Sequence, residues 1–381
     1  RAGLVFDAAG NLYGTTWAGG ASGYGTVFEM KAQTGGGWTE SVVHSFNLSA
    51  TDGANPWASL LLDAAGNIYG TTAFAGAHGP ANNGYVGGTV FEIQTATVKT
   101  ATSTTLASSL NPSIYGQSVT FTATVKASSG TPTGTVTFKN GTATLGSAAL
   151  SAGAVNYTTA TLAVGTNSIT ASYGGSATFN GSTSTAVSEA VNKASTTTAL
   201  VSSVHPSIYG ESVTLTATVK PQYTGTPSGT VTFKNGTTTL GSVTLSAGVA
   251  KYTTTTLGLG THSITAVYNG SASFNLSTST AVSQVVNKAS TTTTLTSSAN
   301  PSTVGESVTF TATIKPQFSG TPGGTVTFKD GTKTLGSVTL SSGVAKYTTA
   351  TLAKGTHSIG AAYGGSVSFA TSSATLTQTV H

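Results

Sequence analysis

The chain has 381 residues, more than one ordinary domain holds. Only 7% of them are charged, and Gly, Thr, Ser, Ala and Val dominate, which excludes a helical bundle and a typical disordered chain and reads as all-β. The net charge is +5, and with no cysteine and one methionine, Met30, a disulfide framework, a thiolate metal site and a cysteine nucleophile are excluded.

The chain opens at Arg1 without a Met, a basic stretch or an apolar run, so any signal peptide is expected upstream or already removed. No run approaches the roughly 18 apolar residues of a membrane span. The segment GLVFDAAGNLYGTTWAGGASGYGTVFEM, Gly3 to Met30, returns as LLLDAAGNIYGTTAFAGAHGPANNGYVGGTVFEI, Leu60 to Ile93, with Asp7 and Asp63 set 56 residues apart. One unit predicts a strand at Leu4 to Asp7, a turn over Ala8 to Asn11, and strands at Leu12 to Thr15, Gly25 to Lys31 and Trp38 to Phe46. Four antiparallel strands per unit is the plan of a propeller blade. The region resembles a tandem family of bacterial exported proteins with D-x-x-G-N-[LI]-Y-G-T-T and G-T-V-F-E signatures. Residues 1–98 are therefore expected to form partial propeller-like repeats, with units 3–58 and 60–93. The second unit stops after its third strand, so either further blades lie upstream or the open edge accepts a strand from a neighbouring molecule.

From residue 99 the pattern changes. GTVTFKNGTATLGS at Gly134 returns as GTVTFKNGTTTLGS at Gly229 and GTVTFKDGTKTLGS at Gly324, each step 95 residues. In Ser118 to Val125 the apolar Val119, Phe121, Ala123 and Val125 alternate with Ser and Thr, the period of a half-buried strand. Strands are likewise predicted at Thr104 to Leu106, Thr135 to Phe138, Thr144 to Leu150, Ala154 to Thr161, Asn167 to Tyr173 and Thr183 to Val191, with Asn140-Gly141 as a hairpin turn. Seven strands per copy fit a two-sheet sandwich of immunoglobulin type. On the N/H-P-S-x-x-G-x-S-V-T entry, G-T-V-T-F-K and G-T-[NH]-S-I, residues 101–381 resemble the bacterial Ig-like repeat family. The expected fold is all-β: three tandem seven-stranded Ig-like β-sandwiches, 99–193, 194–288 and 289–381, after an incomplete β-propeller-like region. Neither joint, at Ser184 to Leu200 or from Ser279, contains Gly or Pro, which predicts a stiff, extended rod. The close of the chain at Gln378 to His381 matches Gln284 to Asn287, so another repeat is expected to follow.

Little reactive chemistry is written into these repeats. Lys139, Lys234 and Lys329 recur at one repeat position with no Arg beside them, which reads as a solvated strand end and not a nucleic-acid face. His262 and His357 stand where the first copy has Asn167, and His205 stands where Asn111 and Asn300 stand, which reads as strand and turn positions rather than ligands. His44, His78 and His381 complete the histidines. Glu211 and Glu306 match Gln117, so their charge is dispensable. Asp7 and Asp63 are expected to accept backbone hydrogen bonds within their turns, since they lack the acid density of a calcium loop. The Gly-rich run Gly19 to Gly25 has no following Lys-Ser/Thr and no helix, so it is not a phosphate loop. Catalytic, cofactor and metal sites are expected to be absent.

Aromatics crowd the first hundred residues: Tyr13, Trp17, Tyr24, Trp38, Trp57, Tyr69, Phe74 and Tyr85. Most read as packing, but Trp17 and Phe74 follow Gly-Thr-Thr in equivalent loops, and loop aromatics stack on sugar rings. They are the candidate glycan contacts. The whole reads as a non-enzymatic exported bacterial surface protein, extracellular or on the cell surface, with a stiff stalk carrying a propeller-like head. Two alternatives stay open: a self-assembling filament subunit, or the accessory glycan-binding part of a secreted polysaccharide-acting enzyme. Expected partners are other copies of itself or surface glycans, with no nucleic acid.

Overall fold

In the computed structural model, residues 2–33, 35–49, 51–74, 87–95 and 99–381 are described. His78, Tyr85 and the expected boundary at 98 lie outside them. The described residues contain strands, turns and bends but no helix. The chain divides into two compact units: Arg1–Ala107 with Thr122–Tyr157 and Ile169–Ala186, and Ser108–Phe121 with Thr158–Ser168 and Val187–His381.

In the first unit, β1 (Val5–Phe6), β2 (Leu12–Thr16), β3 (Thr26–Ala32) and β4 (Trp38–Ser45) form an antiparallel meander in chain order. These are the four strands that the repeat predicted. The turn between β1 and β2 is fixed by Asp7, whose carboxylate accepts the N–H groups of Ala9 at 2.9 Å and Asn11 at 2.8 Å. A second sheet holds β5 (Ala54–Pro56), β6 (Leu61–Leu62), β7 (Ile68–Phe74) and β8 (Val90–Ile93). Strand β7 lies in the middle, with β5 and β6 along one edge and β8 along the other. Strand β5 was not foreseen. Beyond β8 no strand pairs among the described residues. The two sheets pack through Tyr13, Val27, Phe46, Leu60 and Ile68. A propeller is not shown by them.

The second unit contains the second and third Ig-like copies entire. In the second, strands Thr196–Ser202, Val213–Pro221 and Val249–Thr254 form one antiparallel sheet. The other sheet runs through Ser207–Ile208, Val282–Asn287, Gly260–Tyr268, Thr230–Asn235 and Thr238–Thr244 in that order. Its first pair is parallel and its others antiparallel. The inward residues of both sheets make one core, including Val213, Leu215, Ala217, Val231, Phe233, Ile264 and Tyr268, while Ser and Thr alternate outward. The third copy has the seven strands expected, ending in one long strand, Ser372–Val380. The first two have nine each, because the predicted last strand breaks into Ser182–Thr183 and Val187–Asn192, or Ser277–Thr278 and Val282–Asn287, and because Ser113–Ile114 and Ser207–Ile208 add a two-residue strand.

The hairpin turn is shifted by one residue from the expectation. Asn140 still pairs with Ala143, so Gly141 and Thr142 make the loop, after a register shift between Phe138 and Lys139. Of the two, only Gly141 has a positive φ, 57°. That is the Gly-first pattern of a II′ turn rather than the Asn-Gly pattern of I′.

Candidate functional site

The joints between Ig-like copies are the most elaborated surfaces of the second unit. Each rests on a loop that the sequence reads only as a turn. In the second copy it is Ile208-Tyr209-Gly210, placed by the pairing of Ser207–Ile208 with the last strand and closed by Glu211, whose carboxylate accepts the Ile208 N–H at 2.8 Å. Tyr209 meets Phe369 of the third copy edge-on, at 5.5 Å and 89°. Ile208 and Tyr209 both pack against the third copy's core. The Ser319 hydroxyl donates to the Gly210 carbonyl at 2.7 Å. Gly210 has φ 79°, and a Cβ there would sit 2.1 Å from the Ser319 carbonyl oxygen, so no other residue fits.

The preceding joint repeats this geometry. Tyr115 meets Phe274 at 5.3 Å and 88°, Thr224 donates to the Gly116 carbonyl at 2.8 Å, and Ile114 and Tyr115 pack against the second copy's core. Glu211, Glu306 and Gln117 exchange freely because each only offers an oxygen to the same turn N–H, at Ile208, Thr303 or Ile114.

The linkers are held as well. Ala289 is fully buried; its N–H donates to the Ser368 carbonyl at 3.0 Å and its carbonyl accepts the Ala370 N–H at 2.8 Å. Lys288 donates to the Ser366 carbonyl at 2.8 Å. Ala194 and Lys193 do the same with Ser273, Asn275 and Ser271. Each joint therefore has two attachments, the covalent linker and the tyrosine loop. In the third copy the loop reads Thr303-Val304-Gly305, and Val304 is exposed.

In the N-terminal sheets, the candidate glycan residues Trp17 and Phe74 come together, with ring centroids 5.9 Å apart and planes at 73°. Phe74 ends strand β7 rather than lying in a loop. Trp57, which the sequence reads as packing, is exposed and stands 4.9 Å from Trp17 at 79°. Asn55 fixes this corner by donating to the Trp17 carbonyl at 2.8 Å. Beside it lies a cleft of about 230 Å³ lined by Ala2, Thr15, Trp17, Pro56 and Trp57. Trp57 was missed because it lies at the end of the first unit, in a part that the second unit does not repeat.

The repeated signature D-x-x-G-N-[LI]-Y proves to be a hydrogen-bonded knot. Burial opposes the charge of Asp7, but hydrogen bonds from Asn11, Ala9 and Tyr13 hold its carboxyl below the usual carboxylate range. Burial and the Glu29 carboxylate, 3.0 Å from the Tyr13 hydroxyl, push that phenol up. In the second sheet, Asp63, Asn67, Tyr69 and Glu92 repeat the arrangement, and Glu92, then burial and Asp63, push the Tyr69 phenol up to about 12. In both sheets the carboxylates, the Asn amide and the phenol bond to one another, which locks the turn.

Four of the described histidines make hydrogen bonds within the fold. His205 Nδ1 accepts the Val285 N–H at 3.3 Å, His262 bonds Asn235 and the Gly258 carbonyl, His357 pairs with Asp330 at 2.7 Å, and His44 pairs with Asp52. Among the described residues no three His, Cys, Asp or Glu side chains gather as metal ligands, and no helix is long and apolar enough to cross a membrane.

Three solved structures illustrate what the chain is similar to. The fibronectin(III)-like modules of Clostridium thermocellum CbhA share 22% identity over 48% of this chain and 93% of theirs, with a TM-score of 0.22. The Escherichia coli adhesin FdeC shares 18% over 74% and 96%, with a TM-score of 0.26. A Ca2+-stabilized adhesin by which an Antarctic bacterium binds ice shares 15% over 98% and 95%, with a TM-score of 0.25. No curated protein matches the chain. Family membership rests on the family model alone: the description "Bacterial Ig-like domain (group 3)" matches residues 104–192, 200–287 and 295–381. Those three stretches cover well over half of the chain, which belongs to the bacterial Ig-like domain (group 3) family.

Proposed function

We propose that this is a non-enzymatic, exported bacterial surface protein in which Ig-like copies, bounded at 99–193, 194–288 and 289–381, act as an orienting spacer for the N-terminal sheets of residues 1–98. The observation that carries this reading is the two-point joint. A linker alone leaves neighbouring domains free to swing. A linker plus a tyrosine loop seated on the next core, as at Tyr209 and Phe369, fixes their angle. The absence of cysteine makes the test direct, because nitroxide labels can be placed at Thr237 and Thr332 on two exposed hairpin tips. The spacer reading expects one narrow distance distribution that broadens in Tyr209→Ala. A distribution already as broad in the parent protein defeats it.

A second reading concerns the head. The corner of Trp17, Trp57 and Phe74 offers ring faces set nearly at right angles, which suits one pyranose ring better than a flat polysaccharide surface. Among the described residues the cleft is lined by no charged side chain, so a neutral sugar is the matching ligand. Trp57→Ala and Trp17→Ala are expected to abolish binding on an array of neutral glycans. Binding that survives both substitutions removes this reading.

A further inference from the structure

The two N-terminal sheets meet through different faces. In the meander, Val5, Tyr13 and Val27 point one way and Leu4, Phe6 and Phe28 the other. In the second sheet the equivalent sets are Leu61, Tyr69 and Val90 on the first face, and Leu60, Leu62 and Phe91 on the second. The second faces are built alike. A Cβ added at Gly14 would meet Leu4 at 2.6 Å and Phe28 at 2.7 Å, and one at Gly70 would meet Leu60 at 2.9 Å and Phe91 at 2.4 Å.

Inside the chain, the first face of the meander is packed on the second face of the other sheet. Val27 is 0% exposed and Leu60 6%. The same positions on the unused faces are open: Val90 is 77% exposed, Leu61 67%, Leu4 58% and Phe6 64%. Among the described residues the leftover faces thus repeat the strand positions that meet in an interface the chain already forms once, although the second sheet, with no counterpart of β4, lacks those of Val43 and Phe46. Single exposed apolar residues need no explanation, but two faces that repeat the strand positions of a formed interface do.

We propose that these faces bind each other between two copies of this chain, the Leu4, Phe6 and Phe28 face of one molecule seating on the Leu61, Tyr69 and Val90 face of the next. The contact continues the packing within the chain. It is heterologous, since each molecule offers one face of each kind, so assembly passes beyond a dimer unless it closes into a ring. It differs from strand donation at an open edge, because the faces and not the β8 backbone make the contact. It also owes nothing to the tyrosine joints, and the two readings stand or fall apart.

Light scattering on the full chain and on Phe6→Lys and Val90→Lys variants tests it. Both positions are exposed, so each variant keeps its fold, which circular dichroism verifies. The parent protein is expected to gain mass with concentration, whereas each variant alone stays a monomer. Mixing the two variants restores one intact pair of faces, and the mean mass should rise about twofold to a capped dimer. A parent protein that stays monomeric overturns the proposal. So does a mixture no heavier than its components, or a variant that still assembles alone.

Discussion

Glu189 shows how much one atom decides. It is fully buried, and its copies in the other domains are Gln284 and Gln378. Gln284 accepts from Ser202 at 2.6 Å while its amide donates to Ser207 at 3.0 Å and to the Val285 carbonyl at 3.2 Å. Gln378 does the same with Ser297, Ser302 and the Thr379 carbonyl. Glu189 carries an oxygen where Gln284 and Gln378 carry an amide NH2. Glu189 keeps the bond from Ser108 at 2.7 Å, but among the described residues its Oε1 and the Ser113 hydroxyl have no hydrogen-bond partner. Glu189→Gln is therefore expected to stabilise the first copy by about 1–3 kcal/mol, the worth of relieving a buried unsatisfied group. Urea unfolding checks this, and an unchanged or lowered midpoint contradicts it. From sequence this position looks like a harmless Glu/Gln exchange of the kind at Gln117 and Glu211. Burial separates the two cases: at 117 and 211 only an acceptor is needed, while at 189 a donor is too.

Paired strands carry the pH dependence. His357, on Gly355–Tyr363, bonds Asp330 at the end of Thr325–Asp330 and the Ala353 carbonyl at 2.8 Å. The Ala353 carbonyl first, and Asp330 second, raise the imidazole above its ordinary 6.5. Only a protonated ring donates to both. A raised folded-state value means a contribution fully present below 6.5 and lost as pH climbs through that raised value. In the second copy the uncharged Asn235 takes the place of Asp330, 2.8 Å from His262 Nδ1, and the other ring nitrogen faces the Gly258 carbonyl. Asp330→Asn is thus expected to flatten the decline of third-copy stability above neutral pH, followed by thermal melts across that range; an equal decline in parent and variant refutes the assignment. The strands themselves were legible from alternation, as at Val119 to Val125. What alternation could not show was the two-residue strands such as Ser113–Ile114, too short to have a period, and the shift at Phe138 that keeps Asn140 paired and moves the turn onto Gly141.

Across the molecule, the repeats were legible and their joints only half so. The lack of Gly and Pro at Ser184 to Leu200 pointed to a short link, but the seat of Tyr115 and Tyr209 on the next copy did not show. Both tyrosines lie in what reads as a turn, and the one available signal was the departure to Val304 in the third copy. The aromatic corner was legible in part, Trp17 and Phe74 through their repeat and the exposed Trp57 beside them not at all. The parallel pairing that closes each Ig-like copy has a further consequence. Ser113–Ile114 runs beside Val191–Asn192, Ser207–Ile208 beside Val286–Asn287, and Ser302 beside Val380. Pulled apart by its two termini, a copy loads such parallel hydrogen bonds together, sliding one strand along the other, where an antiparallel hairpin would unzip one bond at a time. Resistance to stretching is then set by how fast that small clasp shears, a rate rather than an equilibrium stability.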